Sequence, residues 1–387
     1  MKIFEIEEVQ DNTAKIKIVG VGGGGGNAVN GMIASSLQGV EFIAVNTDAQ
    51  ALESSLAHQR IQIGNSLTKG LGAGANPEVG RQAAHDDRDL IEGAIKGADM
   101  IFITAGMGGG TGTGASSIVA EVAREQGILT TAVVTRPFLF EGNKRSKNAE
   151  QGIKELRKHV DSIIIIHNNR ILDITEKNTP WLQALNLAND VLRQAVKGIS
   201  DLILIPGLIN QDFADIKTIL TNSGKALMGI GHAEGEDRAI AAAKMAIKSP
   251  LLEETSIDGA KGVLINITGG SSLSFHEIHE AASLIKDAAD SDAEIIFGSV
   301  IDPDLDEKMM LTVIATGFEE KPKAVMTSYD RWRPSRDVSM LRGSHRLLSK
   351  TSLKESDEVG EDSYLDVPTF MRNSATREEK VQSSLEK

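Results

Sequence analysis

The chain has 387 residues, with 41 Lys+Arg against 54 Asp+Glu, a formal net charge of −13 and no cysteine. That acidic balance argues against a nucleic-acid-binding protein, and the missing thiols exclude disulfides, thiolate metal sites and cysteine nucleophiles. No apolar run approaches the roughly 20 residues of a membrane-spanning helix. The opening segment carries Glu5, Glu7, Glu8 and Asp11, unlike a signal or transit peptide, so a soluble, cytoplasmic protein is expected.

From Ala14 onward, short β-branched runs alternate with helical patterns. Strands are expected at Lys15–Val21, Val40–Val45, Met100–Thr104, Ile128–Thr135 and Ser162–Ile166, several almost continuously apolar, as strands covered on both faces are. Helices are expected at Asn27–Leu37, Glu78–Lys96 and Ala115–Gln126. This βαβ series predicts an α/β fold with a doubly wound, mostly parallel sheet and right-handed crossovers. Thr179-Pro180 then reads as a helix N-cap followed by proline at the first helical position. Leu182, Leu185, Ala188, Leu192, Ala195, Ile199 and Leu202 recur at spacings of three and four, predicting a long central helix between two domains. Strands at Gly262–Thr268, Glu294–Ile301 and Leu311–Thr316 belong to a second, smaller α/β domain. After Phe318 the periodicity fails, and a polar linker leads to an apolar island, Tyr364–Arg372. The expected organisation is therefore a flexible 1–13, a nucleotide-binding domain 14–178, the helix 179–205, a second domain 206–318, a disordered linker 319–363, a docking peptide 364–373 and a flexible 374–387.

The chain has 38 glycines, and they cluster. Gly20-Val21-Gly22-Gly23-Gly24-Gly25-Gly26-Asn27 stands between a strand and a helix and satisfies G-x-G-x-x-G, in which backbone N–H groups meet an anion at a helix N-terminus. Alone it points to a nicotinamide or flavin enzyme, with Asp48 near the place of a ribose-binding acid. A second cluster, Gly106-Met107-Gly108-Gly109-Gly110-Thr111-Gly112-Thr113-Gly114, follows another strand at the same sheet edge. Two anion nests facing one crevice suit a longer polyphosphate, with Thr111 and Thr113 offering hydroxyls to phosphate oxygens or a hydrated Mg²⁺. No G-x-x-x-x-G-K-[ST] occurs, so the chain is not a P-loop NTPase. In Asn210-Gln211-Asp212-Phe213-Ala214-Asp215 the two acids are three apart at a helix start. They either cap that helix or polarise an attacking water. Two carboxylates resting beside a polyphosphate are electrostatically costly, which favours a surface that meets the nucleotide only transiently. His276-Glu277-Ile278-His279-Glu280 has its histidines at i,i+3, where zinc proteases need i,i+4, and reads as a plain helix face.

These motifs, with Asn46-Thr47-Asp48, Gly72–Pro77, Phe138–Gly142 with Arg145, and Ala188-Asn189-Asp190, resemble the tubulin/FtsZ family over Lys15 to Phe318. The tail island looks like that family's C-terminal docking peptide. The resemblance implies a GTPase, using GTP/GDP and Mg²⁺ carried by the phosphates, that polymerises head to tail into protofilaments of the cell-division ring at mid-cell. Gly22, Gly23, Gly24, Gly25, Gly26 and Asn27 would contact phosphates, and Gly106, Gly108, Gly109, Gly110, Thr111, Gly112 and Thr113 would cradle the β- and γ-phosphates. Asn46 would join the nucleotide site, and Ala73 and Gly74 would approach the γ-phosphate. Glu141 and Arg145 would hold the ribose, Asn168, Asn189 and Asp190 would read guanine, and Leu185 stands where the family has an aromatic ring. Asn210, Asp212 and Asp215 would be supplied by the neighbouring subunit as the catalytic set. Asp366, Val367, Pro368, Phe370, Met371 and Arg372 would bind membrane-anchoring adaptors and regulatory division proteins. His167-Asn168-Asn169 replaces a Pro-Asn-Asp pattern, and Gln211 an apolar residue. A dehydrogenase leaves the second glycine cluster without a role; a non-hydrolysing nucleotide-binding scaffold is the other alternative.

Overall fold

The structure, a computed structural model, describes residues 13–175, 178–205, 212–252 and 257–318. The linker, the tail island and Asn210 lie outside the described residues. In chain order the first half comprises β1 (Ile16–Val21), α1 (Gly22–Ala34), β2 (Val40–Asn46), α2 (Ala49–Glu53), β3 (Gln59–Gln62), α3 (Asn65–Thr68), α4 (Pro77–Asp86), α5 (Arg88–Ile95), β4 (Met100–Gly106), α6 (Thr111–Glu125), β5 (Leu129–Arg136), α7 (Asn143–Leu156), β6 (Ser162–His167) and α8 (Asn168–Ile174). There follow α9 (Trp181–Leu204), α10 (Phe213–Leu220), β7 (Gly224–Glu234), α11 (Arg238–Ile247), β8 (Gly262–Gly269), α12 (Phe275–Ala288), β9 (Glu294–Ile301) and β10 (Lys308–Thr316).

The strands form one sheet in the order β3-β2-β1-β4-β5-β6-β7-β10-β8-β9. Its first six are parallel in the doubly wound order, so the switch point falls between β1 and β4, where the crossovers diverge and a crevice opens at the carboxyl ends. β7 begins parallel to β6, Ser162 opposite Gly224, and then runs antiparallel to β10, which joins the second half of the molecule to the same sheet.

Three apolar layers hold these elements. One, with Val19, Ile43, Ile101 and Ile103, lies under α4 to α7. The second covers the opposite face with Ile18, Phe42 and Phe102 and extends through Val191, Leu192, Ala195, Val196, Ile199 and Leu202 of α9 to Ile216 and Leu220 of α10 and Leu264 and Ile314 beyond. The third packs α11 and α12 on β7, β8 and β10. The central helix is therefore sheathed by both halves, as its apolar stripe requires.

Three expectations are corrected. The five-glycine run is not a loop: α1 begins at Gly22, so Gly22–Gly26 form its first turn and a half. Glu78–Lys96 is two helices, parted at Asp87, whose carboxylate leaves the helix pattern to accept the Gly64 N–H at 2.6 Å. Pro180 itself is the N-cap of α9, extended at φ −57° and ψ 143° and without a side-chain cap bond, so Thr179 is not. No described helix is long and apolar enough to cross a membrane.

Candidate functional site

A crevice of about 580 Å³ opens over the carboxyl ends of the parallel strands, within the size range of nucleotide pockets. Its floor is built by two backbones in direct contact. A Cβ at Gly22 would lie 2.7 Å from the Gly112 nitrogen, and one at Gly112 would lie 2.8 Å from the Gly106 oxygen. Gly22 also sits at φ +72°, the left-handed region that only glycine enters without strain. These residues are glycine because the two nests must touch.

Gly23 and Gly109 differ. Both line the crevice, yet a Cβ on either would meet no protein atom within 4 Å. The fold does not require glycine there, and the open space lies on the crevice side. α1 and α6 start at this floor, with no side-chain cap and no acid in the first turn of either. Their first N–H groups and positive dipole ends are thus left for an anion.

The walls are held by short polar contacts. The Thr47 and Thr111 hydroxyls are buried 2.7 Å apart, tying the end of β2 to the start of α6. Thr113 Oγ1 accepts the Gly108 N–H at 2.8 Å, so its hydroxyl closes the glycine loop from within. Gly108 is at φ +108°. Ala73 is buried and would be 2.7 Å from a Cβ at Gly110, which seats the 72–76 loop directly on the second glycine cluster.

The charged residues lining the crevice, among those described, are Asp48, Glu141 and Arg145. Asp48 caps α2, its Oδ1 accepting from Gln50 at 3.0 Å and Ala51 at 3.2 Å. Glu141 accepts the Phe138 N–H at 2.9 Å and pairs with Arg145. Among the described residues no lysine lines the crevice, so beside Arg145 its positive character comes from N–H groups and helix dipoles.

The remaining wall is the first half of α9, where Leu185, Ala188, Asn189 and Leu192 line the crevice, together with Asn168, the first residue of α8. Asn168 Oδ1 is buried and has no hydrogen-bond partner. Asp190 stands one residue, or 100°, further round the helix. It lines a separate depression with Thr179, Gln183 and Asn186 and accepts from Arg193 Nε at 3.1 Å. Of the expected site residues, the crevice gathers Gly23, Gly24, Asn27, Asn46, Ala73, Gly106, Gly109, Gly110, Thr111, Gly112, Glu141, Arg145, Asn168, Leu185 and Asn189. Gly22, Gly25, Gly26, Gly74, Gly108 and Thr113 support or flank it. Ala188 and Leu192, read from sequence as plain core, also face it, and their spacing from Leu185 carried that signal.

Asp212 and Asp215 do not line the crevice. Both are exposed at the start of α10, and the Asp212 carboxylate makes no cap bond. α9 crosses the sheet from the crevice to the opposite edge, its Leu204 packing beside Gly39 at the amino end of β2. α10 ends at that same edge, where Asn222 bonds Asp161 just before β6. Leu185 and Leu204 are separated by about 29 Å along the helix.

Residues 15–176 match the model of the Tubulin/FtsZ family, GTPase domain, and residues 224–319 that of the FtsZ family, C-terminal domain. An empty FtsZ dimer from M. jannaschii is 43% identical with a TM-score of 0.77, covering 80% of this chain and 89% of that one. The chain belongs to the FtsZ family. A point mutant of the same FtsZ matches equally, covering 92% of its chain. CetZ2 from Haloferax volcanii, a GTPγS-bound protofilament, is 19% identical with a TM-score of 0.68 and shares the fold. The tubulin/FtsZ GTPase domain accounts for two glycine nests in one crevice, which a nicotinamide-binding domain does not.

Proposed function

We propose that this FtsZ-family chain is a GTPase whose hydrolytic site is completed by a second copy stacked head to tail. The carrying observation is the separation of its two halves: a crevice suited to a triphosphate, and exposed carboxylates at the start of α10 that do not line it. The dimer and protofilament among its structural neighbours support such stacking.

In this reading the N–H groups of the Gly22–Gly26 turn and of Gly109 to Gly112 hold the phosphates, aided by the two helix dipoles. Glu141 and Arg145 face the sugar, and Asn168, Asn189 and Asp190 read the base, Asp190 as acceptor for its exocyclic amine and ring N–H. Among the described residues no cluster of three or more His, Asp or Glu is placed to hold a metal. Mg²⁺ carried by the phosphates would supply neutralisation of the charge that develops in phosphoryl transfer. Asp212 and Asp215 of one copy would orient and polarise the attacking water in the crevice of the next. A single chain holds nucleotide but lacks these groups within reach, so it is slow. The division ring, mid-cell placement and adaptor binding through Asp366–Arg372 belong to this proposal as well.

The test is GTP turnover per chain across a protein-concentration series. Turnover that rises steeply above a threshold supports the reading. Equal turnover by dilute, monomeric protein overturns it, and no turnover at any concentration favours the scaffold alternative. Asp212→Ala and Asp215→Ala are each expected to keep GTP bound while losing most turnover, on the order of 10²-fold.

A further inference from the structure

We propose that Thr47, a buried residue behind the crevice, fixes the direction in which the Thr111 hydroxyl spends its proton, so that Thr111 meets the nucleotide as a donor to a phosphate oxygen. Thr47 is a positioning residue: it touches no ligand and acts through Thr111. The inference rests on the nucleotide reading above and concerns how one hydroxyl of that site is oriented.

Thr47 directly follows β2. Asn46 and Asp48 on either side of it line the crevice, and Thr47 does not. It is fully buried, and its carbonyl accepts from the Thr68 hydroxyl at 3.3 Å, which holds it from α3. Among the described residues the Thr47 and Thr111 hydroxyls, 2.7 Å apart, have only each other as hydrogen-bond partners. Two hydroxyls carry two protons, and the bond between them uses one. The other needs an acceptor, because a buried donor without one costs the full desolvation of that group. The described residues supply Thr47 Oγ1 with no second acceptor, whereas Thr111 lines the crevice. The balance closes in one way. Thr47 donates to Thr111, and Thr111 keeps its own proton for the crevice. A hydroxyl that already accepts one bond is polarised to donate a second, and an ionised phosphate oxygen is the acceptor that rewards it most. The opposite direction strands the Thr47 proton and turns only oxygen lone pairs toward a phosphate.

The experiment measures GTP affinity of the full-length protein below assembly concentrations, by displacement of a fluorescent GTP analogue, alongside thermal melting of the nucleotide-free chain. Thr47→Val keeps the shape and removes the hydroxyl. It is expected to weaken GTP by about three- to tenfold, and Thr47→Ser to restore it. Thr111→Val is expected to weaken GTP at least as much and to melt earlier, since it strands the Thr47 proton. In the double variant, Thr47→Val with Thr111→Val, affinity is expected to stay at the Thr111→Val level. Its melting temperature is expected to recover, because removing both partners of a buried bond is nearly neutral. Wild-type affinity in Thr47→Val, losses that multiply in the double variant, or a serine as weak as the valine would each overturn the proposal. So would a double variant that melts no later than Thr111→Val. Failure of GTP to displace the analogue from the wild-type chain would instead strike the nucleotide reading itself.

Discussion

Single residues show most sharply where packing ends and ligand begins. A Cβ at Gly109 meets nothing of the protein, whereas one at Gly114 would lie 2.0 Å from the Pro77 oxygen. Gly109→Ala is therefore expected to fold with near-native stability and lose nucleotide affinity; Gly114→Ala is expected to unfold the α4–α6 contact. Thermal melting paired with nucleotide titration separates the two. Elsewhere, Arg238 is buried and grips Glu277 with two bonds, 2.6 and 3.1 Å, while also donating to Ser272 and the Glu307 carbonyl. Glu277 also completes the capping box of α12 with Ser274. The Arg238 guanidinium, first, and then the Ser274 bonds hold its carboxyl down at about 2, from 4.5. A carboxyl lowered on folding stabilises the protein above its unfolded value and loses that contribution as pH falls toward the folded one. Stability is accordingly expected to decline between about pH 4.5 and 2, by on the order of 2 kcal/mol from this group. Glu277→Gln is expected to flatten that part of the profile in denaturant melts, while costing about 3 kcal/mol at neutral pH through the unpaired arginine.

At the scale of elements, what the sequence announces depends on how local the cause is. β1, β4 and β6 are β-branched runs buried on both faces, and they read directly. β3, Gln-Arg-Ile-Gln, buries Ile61 alone at the sheet edge and has no pattern to read. β7 carries Gly224, Gly229 and Gly231, residues that disfavour strands. Its reason lies elsewhere: Cβ atoms at Gly229 and Gly231 would sit 2.0 and 1.9 Å from the carbonyls of Ala246 and Ala242. The alanine face of α11 rests on bare strand backbone, a contact no local window contains. Gly231→Ala is thus expected to destabilise the fold by more than about 2 kcal/mol, measured by urea unfolding. The crevice was legible for a related reason. Its glycine nests are contiguous in sequence and follow strands, whereas the base wall is spread over one helix face, where a single step moves a side chain by 100°. That step sets Asp190 beside Asn189 yet in a second depression, while Ala188 and Leu192, buried as their stripe predicts, also line the crevice.

For the molecule as a whole, stacking makes a prediction that no single-chain property can mimic. A variant with a ruined crevice still offers its acids, and one without acids still offers its crevice. Mixed in equal amounts, Gly109→Ala and Asp212→Ala chains are expected to recover roughly a quarter of wild-type GTP turnover, because a head-to-tail contact pairs the surviving halves at random. Turnover no greater than the sum of the two alone would mean that each chain acts on its own nucleotide.

In the stacking proposed above, acids that lie outside the crevice would also give any row of these molecules a direction. One terminus would present a loaded nucleotide with nothing to cleave it, and the other carboxylates with nothing to act on. On that reading the unattended terminus would keep its triphosphate intact until the next arrival, and the age of each unit, not its identity, would be written in its nucleotide.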